Sequence, residues 1–229
     1  MIGNIKQAVA YTGYLLAARP DRVAVLGLYI SRQCFVLILV DPAGVYRTDK
    51  IRWKKPPENN PLPRVLAYID NPPPLMVDPT IQREKDGTFQ IKLGKETHGG
   101  CTQTWSPALG RWTMIFKTRK PDHVIKTQYL RYDAGMTEAN ITEADITEAK
   151  LLTKIHSPKW MPGVVRMRRH GWVKRDDKDY VECPSENGRR RKVYLELEDE
   201  GDPFMGIETP KEALIAIWDL LEGGTFLHL

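Results

Sequence analysis

The stretch HVIKTQYLRY, residues 123–132, decides how the second half of this chain is interpreted. After an apolar pair and a lysine, apolar and polar side chains alternate, which is the pattern of a β-strand with one buried face. Lys126 sits among these apolar positions. A lysine in such a place either lays its alkyl stem on apolar surface and sends its ammonium group to water, or points into a cleft and neutralises an anion.

The composition limits the class of protein. The chain has 229 residues, of which 41% are hydrophobic and 28% are charged, as in globular proteins of one to two domains. A net charge of +5 is only mildly basic and does not by itself imply a nucleic-acid partner. Three widely spaced cysteines indicate free thiols in a reducing compartment. We therefore expect a cytoplasmic or nuclear protein.

The most apolar stretch, residues 23–40, carries the polar tripeptide Ser-Arg-Gln at its centre, at residues 31–33. Charge is most costly in the middle of a membrane span. We therefore predict two buried strands in this stretch and no membrane association.

The first part of the chain reads as a small α/β module. Two proline clusters, at 54–63 and 71–79, place a domain boundary near residues 72–80. Residues 1–80 approach the smallest size that folds alone, so we expect them to pack against the rest of the chain. Periodicity and turn residues predict a helix at 2–18, a hairpin at 22–30 and 34–41, a third strand at 45–53 and a short helix at 64–69.

The second part, residues 81–229, begins with strands and ends with a helix. We predict four meander strands, a helix, two further strands and a final capped helix. These elements fall at 89–95, 101–105, 111–118, 123–130, 146–156, 164–174, 191–199 and 209–224.

Metal and nucleophile motifs are missing from the sequence. The five histidines, at positions 98, 123, 156, 170 and 228, show no HExxH motif and no Cys/His spacing. There is also no GxSxG motif for a serine hydrolase. We accordingly assign no metal ligand and no catalytic residue.

Two basic runs, at 166–169 and 189–192, could contact nucleic acid, with Trp172 and Tyr180 stacking on bases. Acidic residues between 176 and 186 cancel much of this field. We therefore expect a solvated charged hairpin, with phosphate-backbone binding as a weaker alternative.

The remaining candidate site involves Lys126. Gly94, Gly99 and Gly100 fall between two predicted strands, and a glycine-rich hairpin can bring its backbone close to a phosphate chain. Lys126 could neutralise those phosphates if Glu148, on the following helix, held its side chain. The residues alone also allow a solvent-facing lysine.

A resemblance that spans most of the chain favours the first interpretation. The sequence resembles the basidiomycete-expanded fungal-type protein kinases. The first matching segments are ARPDRVAVLGLYI at 18–30, VLILVDPAGVYRTDKI at 36–51, LMVDPTI at 75–81, GGCTQTW at 99–105 and VIK at 124–126. They continue with EAKLL at 148–152, a histidine-containing turn, GVV at 163–165 and RRKVYLELEDEGDPF at 190–204.

This resemblance implies an α+β fold, with a small α/β module before a five-stranded antiparallel kinase N-lobe and its αC helix. It also implies ATP and magnesium as cofactors. Lys126 would anchor ATP, Glu148 on αC would pair with Lys126, and Gly94, Gly99 and Gly100 would lie over the phosphates. The hinge backbone would come from Glu196, Leu197 and Glu198.

The sequence also departs from the family. No HRD, DFG or APE motif occurs in the 229 residues, so the sequence motifs of the C-lobe are missing. Because the catalytic base and the metal ligands belong to those motifs, we expect this chain to be inactive alone. Its partner would be the missing C-lobe or another protein. The alternative function is a non-catalytic protein-interaction module of the pseudokinase kind.

Overall fold

The computed structural model describes residues 2–52, 61–105, 112–131, 147–157, 164–177, 179–185, 189–198, 209–211 and 214. Within these ranges, two antiparallel sheets and three α-helices build a mixed structure, so the expected α+β class is confirmed. No helix in the described ranges combines the length and apolar character that a membrane crossing requires.

The first sheet follows the predicted hairpin. Its elements are α1 (Ile2–Ala17), β1 (Val25–Ile30), β2 (Cys34–Asp41), β3 (Gly44–Arg47) and β4 (Ile51–Arg52). The single strand predicted at 45–53 is divided into β3 and β4, which both pair with β2. Asp41 fixes the turn before β3, because its Oδ1 accepts hydrogen bonds from the N–H groups of Ala43 and Gly44.

Helix α1 packs closely on β1 at Gly27. A Cβ atom at this position would collide with the side chain of Thr12, whose hydroxyl donates a 2.8 Å hydrogen bond to the carbonyl of Ala8. The helix can approach the sheet here because glycine has no side chain.

The proline-rich segment that was predicted as a boundary is tied to both sheets. It contains α2 (Leu62–Asp70) and a 3₁₀ turn (Pro74–Met76). The N–H of Val23 donates to the carbonyl of Met76, and the guanidinium of Arg175 donates to the carbonyls of Pro74 and Val77.

The second sheet has seven strands in the order β10-β11-β9-β8-β7-β6-β5. Its strands are β5 (Ile81–Arg83), β6 (Phe89–Leu93), β7 (Glu96–Trp105), β8 (Met114–Lys117), β9 (Val124–Arg131), β10 (Met167–Trp172) and β11 (Arg190–Leu197). The five-stranded prediction is therefore too small, since β5 and β6 extend the sheet beyond β7. Helix α3 (Thr147–Ile155) follows β9, as predicted.

Two apolar cores lie on the faces of this sheet. The larger core joins residues of the first sheet and α1, such as Leu16 and Ile38, to residues of the second sheet, such as Phe116 and Ile125. The smaller core packs Ala149 and Leu152 of α3 against β9 and β11. The first 80 residues thus share a core with the rest of the chain, in line with the expectation from their size.

One prediction concerns residues that are mostly outside the described ranges. The helix predicted at 209–224 is represented only by residues 209–211 and 214.

Candidate functional site

Lys126 and Glu148 form an ion pair between β9 and α3. The lysine Nζ lies 2.6 Å from Oε1 and 2.8 Å from Oε2 of the glutamate, so both carboxylate oxygens accept from one ammonium group. Glu148 stands in the first turn of α3, where the helix dipole favours a negative charge. The amide of Gln128 donates to the same carboxylate at 3.4 Å. The predicted contact between strand and helix is therefore present.

The sheet register explains why Lys126 points toward the helix. It is paired with Ile115 of β8 on one side and Leu195 of β11 on the other. Directly opposed residues share a face of an antiparallel sheet, and Leu195 belongs to the core beneath α3. The lysine stem thus runs along apolar surface, while its ammonium group meets a carboxylate and keeps partial contact with solvent.

The three glycines that were assigned to the phosphates lie in a turn and in a bulge of the second sheet. Gly94 lies in the turn between β6 and β7 with φ +60. Gly99 and Gly100 form a β-bulge, because Ile91 pairs with His98 whereas Phe89 pairs with Cys101.

The register also separates these glycines from Lys126. Trp105 pairs with Ile115, which pairs with Lys126, so the end of β7 lies level with the lysine. Gly100 precedes Trp105 by five residues, which is about 16 Å along a strand. The structure does not bring the glycines and Lys126 together. The connection that leaves β7 beside the lysine comprises residues 106–111, which lie outside the described ranges.

Of the predicted hinge residues, Glu196 and Leu197 end β11 and Glu198 follows it. Leu197 pairs with Val124 of β9 and with Met167 of β10, and its side chain is buried beneath α3. The backbone N–H of Glu198 donates to the carbonyl of Arg166 at 2.8 Å. Sheet pairing therefore uses the N–H of Glu198, one of the backbone groups in the segment that was predicted to make hinge contacts.

Glu196 has a different environment, because its carboxylate is buried in a polar cluster. Arg169 Nε donates to Oε1 at 2.5 Å, and His123 Nε2 lies 3.4 Å from Oε2. Burial alone would raise the pKa of Glu196, but hydrogen bonds from His98 and Arg169 outweigh it and lower the pKa to about 2. The carboxylate is therefore ionised at neutral pH.

Sequence reasoning missed this cluster. The histidines were interpreted as scattered, yet the rings of His98 and His123 stack with centroids 5.3 Å apart. His98 and Glu196 are brought together from distant strands by the fold. No spacing motif exists for such a pair, so only the tertiary structure reveals it.

The basic runs have intramolecular partners. The guanidinium of Arg191 pairs with Glu182 and lies over the rings of Tyr180 and Trp172, at 4.0 Å and 5.6 Å from their centroids. The two aromatic faces considered for base stacking thus already contact an arginine, and the charge of this arginine is already neutralised. Arg191 and Lys192 are 2% and 1% exposed. The expectation of a solvated hairpin is therefore wrong for these two residues, which are buried and paired inside the protein, and this arrangement speaks against a nucleic-acid surface there.

No family model, curated protein or solved structure matches this chain.

Proposed function

We propose that the second sheet and α3 form the ATP-binding N-lobe of a fungal-type protein kinase, and that this polypeptide does not transfer phosphate by itself. The observation that carries the proposal is the ion pair between Lys126 and Glu148. In protein kinases, a strand lysine pairs with the nucleotide phosphates, and a glutamate on the next helix positions that lysine.

The arrangement of elements supports the proposal. The lysine strand, β9, is followed directly in the described chain by α3, and then by β10 and β11. These last two strands return to the same antiparallel sheet, with β11 inserted beside β9. The helix therefore stands over the lysine strand, in a position to hold or release the ammonium group. ATP is the ligand that this geometry favours, with magnesium bound to its phosphates.

We expect this polypeptide to bind nucleotide without catalysing phosphoryl transfer. Phosphoryl transfer depends on a positioned base and on metal-borne charge stabilisation. The 229 residues contain neither the HRD nor the DFG motif that supplies these groups. We therefore expect weak nucleotide affinity, since adenine is normally enclosed between two lobes, and no turnover with labelled ATP, magnesium and a generic protein substrate.

The test compares Mg-ATP binding by isothermal titration calorimetry in three proteins. Lys126→Met removes the phosphate partner, so we expect at least a tenfold loss of affinity. Lys150→Met is the matched control, because this lysine is exposed on α3 itself, and its affinity should equal that of the wild type.

The alternative function, a non-catalytic interaction module, predicts a different outcome. Nucleotide binding would then be undetectable in the wild type, or it would be the same in all three proteins. Either result would overturn the nucleotide-binding proposal. Far-UV circular dichroism of Lys126→Met checks that lost affinity does not reflect a lost α3.

A further inference from the structure

A second cluster of chemically active side chains lies away from Lys126. It joins Glu96 and His98 of β7, His123 beside β9, Arg169 of β10 and Glu196 of β11. These strands are not all neighbours in the sheet order, so the curled sheet is what brings the side chains together. Glu196 and Lys126 occupy opposite faces, because Lys126 is paired with Leu195. The cluster is therefore separate from the proposed nucleotide site.

Three of these residues present metal-ligand atoms to one point. Glu96 Oε2, His98 Nε2 and a carboxylate oxygen of Glu196 lie within 4.8 Å of one another. His98 Nε2 is 3.4 Å from Glu196 Oε1 and 4.0 Å from Glu96 Oε2. Tetrahedral zinc with bonds of about 2.0–2.1 Å places its ligand atoms about 3.4 Å apart. The spacing between His98 and Glu196 equals this value, and that between His98 and Glu96 exceeds it by 0.6 Å, a difference that the exposed Glu96 side chain can close by rotating.

A cation already occupies this point. Arg169 Nη2 lies 2.9 Å from Glu96 Oε2 and 3.3 Å from His98 Nε2, and it pairs with Glu196 Oε1. One guanidinium nitrogen thus contacts all three potential ligands. The arginine side chain keeps 30% of its surface exposed, and that of Glu96 keeps 59%. This side of the cluster is open to solvent, which allows the arginine to leave and an ion to enter.

His123 contacts Glu196 on the side away from the three potential ligand atoms. His123 Nε2 lies 3.4 Å from the second oxygen of Glu196, and its Nδ1 is 2.9 Å from the hydroxyl of Thr118. The hydroxyl fixes the orientation of the ring, which in turn holds the carboxylate. Such outer contacts orient ligating carboxylates in metal sites.

We propose that this cluster is a divalent-cation site that binds Zn²⁺ through Glu96, His98 and Glu196, and that the guanidinium of Arg169 fills it when no metal is present. An imidazole together with carboxylates suits zinc, whereas magnesium prefers oxygen ligands alone. Binding displaces Arg169 toward solvent, and His123 remains the partner of the second Glu196 oxygen.

The experiment is a Zn²⁺ titration of the full chain by calorimetry, with zinc chloride as the probe. We expect one ion per chain in the wild type, and at least a tenfold loss of affinity in both His98→Ala and Glu96→Gln. Glu96 is exposed, so its variant tests the site without disturbing the core. His170→Ala on β10 is the control, because this histidine is outside the cluster, and it should bind zinc like the wild type.

Arg169→Gln tests the competing cation. Removing the positive charge should strengthen zinc binding at least tenfold, and weaker binding would overturn the role given to Arg169. Co²⁺ in place of zinc should give visible absorption bands that His98→Ala loses. The absence of saturable zinc binding in the wild type, or binding that His98→Ala and Glu96→Gln leave unchanged, would overturn the site.

Discussion

At the scale of single residues, Lys126 shows how one side chain satisfies two opposing demands. Its stem lies on the apolar surface beneath α3, while its ammonium group contacts both oxygens of Glu148. Ion pairs that keep contact with water contribute only about 0–1 kcal/mol to stability. The pair therefore contributes little to holding the fold. Its main effect is to fix where the ammonium group stands.

Glu196 differs from Lys126 because its charge is buried. Its depressed pKa means that the folded state favours the ionised form more than the unfolded state does. This contribution to stability is complete above the unfolded pKa of 4.5 and is lost as the pH falls toward about 2. The pKa of His123 is lowered by burial, which outweighs its contact with Glu196. Protonation of His123 therefore also favours unfolding in acid.

Glu196→Gln should remove this pH-dependent contribution. At pH 7 we expect a loss of roughly 3 kcal/mol in the free energy of unfolding, from a pKa difference of about 2.5 units. The difference from the wild type should shrink between pH 4.5 and pH 2, because the wild-type carboxyl becomes neutral there. Urea unfolding at several pH values measures it.

The control for this prediction is Glu198→Gln, which removes a carboxylate from a solvent-exposed pair with Arg166. This variant should lose less than about 1 kcal/mol. A difference between Glu196→Gln and the wild type that stays constant from pH 7 to pH 3 would contradict the assigned ionisation.

At the scale of elements, the pair Gly99-Gly100 bends β7. Gly100 has φ +63, and a Cβ there would collide with the guanidinium of Arg119. The bulge allows the first part of β7 to bring Glu96 and His98 to Arg169, which lies on a strand far away in the sheet order. The bulge in the sheet thus gives a structural reason for glycine at position 100.

Gly100→Ala should therefore destabilise the protein, by roughly 1–3 kcal/mol, because alanine is strained at positive φ and its methyl group must displace Arg119. Gly99→Ala is the matched control, since a Cβ there has open space around it, and its loss should be much smaller. Thermal unfolding measures both. Equal losses in the two variants would refute the specific role of Gly100.

The elements also show what sequence patterns can predict. The helix at 146–156 and the hairpin at 22–41 were correctly predicted because their periodicity and turn residues are local signals. The sequence did not predict the bulge at the glycine pair, because glycine marks a phosphate loop and a bulge alike. Only the strand register distinguishes these roles, and the register depends on residues far away in the sequence.

The candidate site also has a part that the sequence predicts and a part that it does not. The pairing of Lys126 with Glu148 was predictable, because the resemblance to kinases names both residues and the helix between 146 and 156 is a strong local pattern. The cluster around Glu196 was not predictable, since its members come from four separate parts of the chain. The burial that lowers the pKa of His123 is likewise a tertiary property.

At the scale of the whole molecule, the segment between the two sheets is bound to the second sheet by a buried ion pair. Asp78 is fully buried, and its Oδ2 accepts a 2.5 Å hydrogen bond from Lys192 of β11, which is 1% exposed. The other oxygen, Oδ1, accepts from the backbone and the hydroxyl of Thr80. One carboxylate thus holds the chain between the sheets to the centre of the second sheet. Together with the shared apolar core, this contact predicts that both sheets unfold together.

Lys192→Met should cost about 3–5 kcal/mol, because it leaves the buried carboxylate of Asp78 without its counter-charge. Adding Asp78→Asn to this variant should restore part of the loss, since the unpaired charge is then gone. Arg166→Met, which breaks an exposed pair with Glu198, is the control and should cost less than about 1 kcal/mol. Urea unfolding gives the three values.

Hydrogen exchange then shows whether Lys192→Met destabilises both sheets or the second sheet alone. If the two sheets share one core, Lys192→Met lowers the protection of amides in β1 and β2 as much as that of amides in β9 and β11, because all of them exchange through the same global unfolding. Loss of protection in the second sheet alone would contradict a single cooperative unit. It would mean that residues 1–80 keep a stability of their own, although the core that buries Leu16 and Ile38 also contains residues of the second sheet.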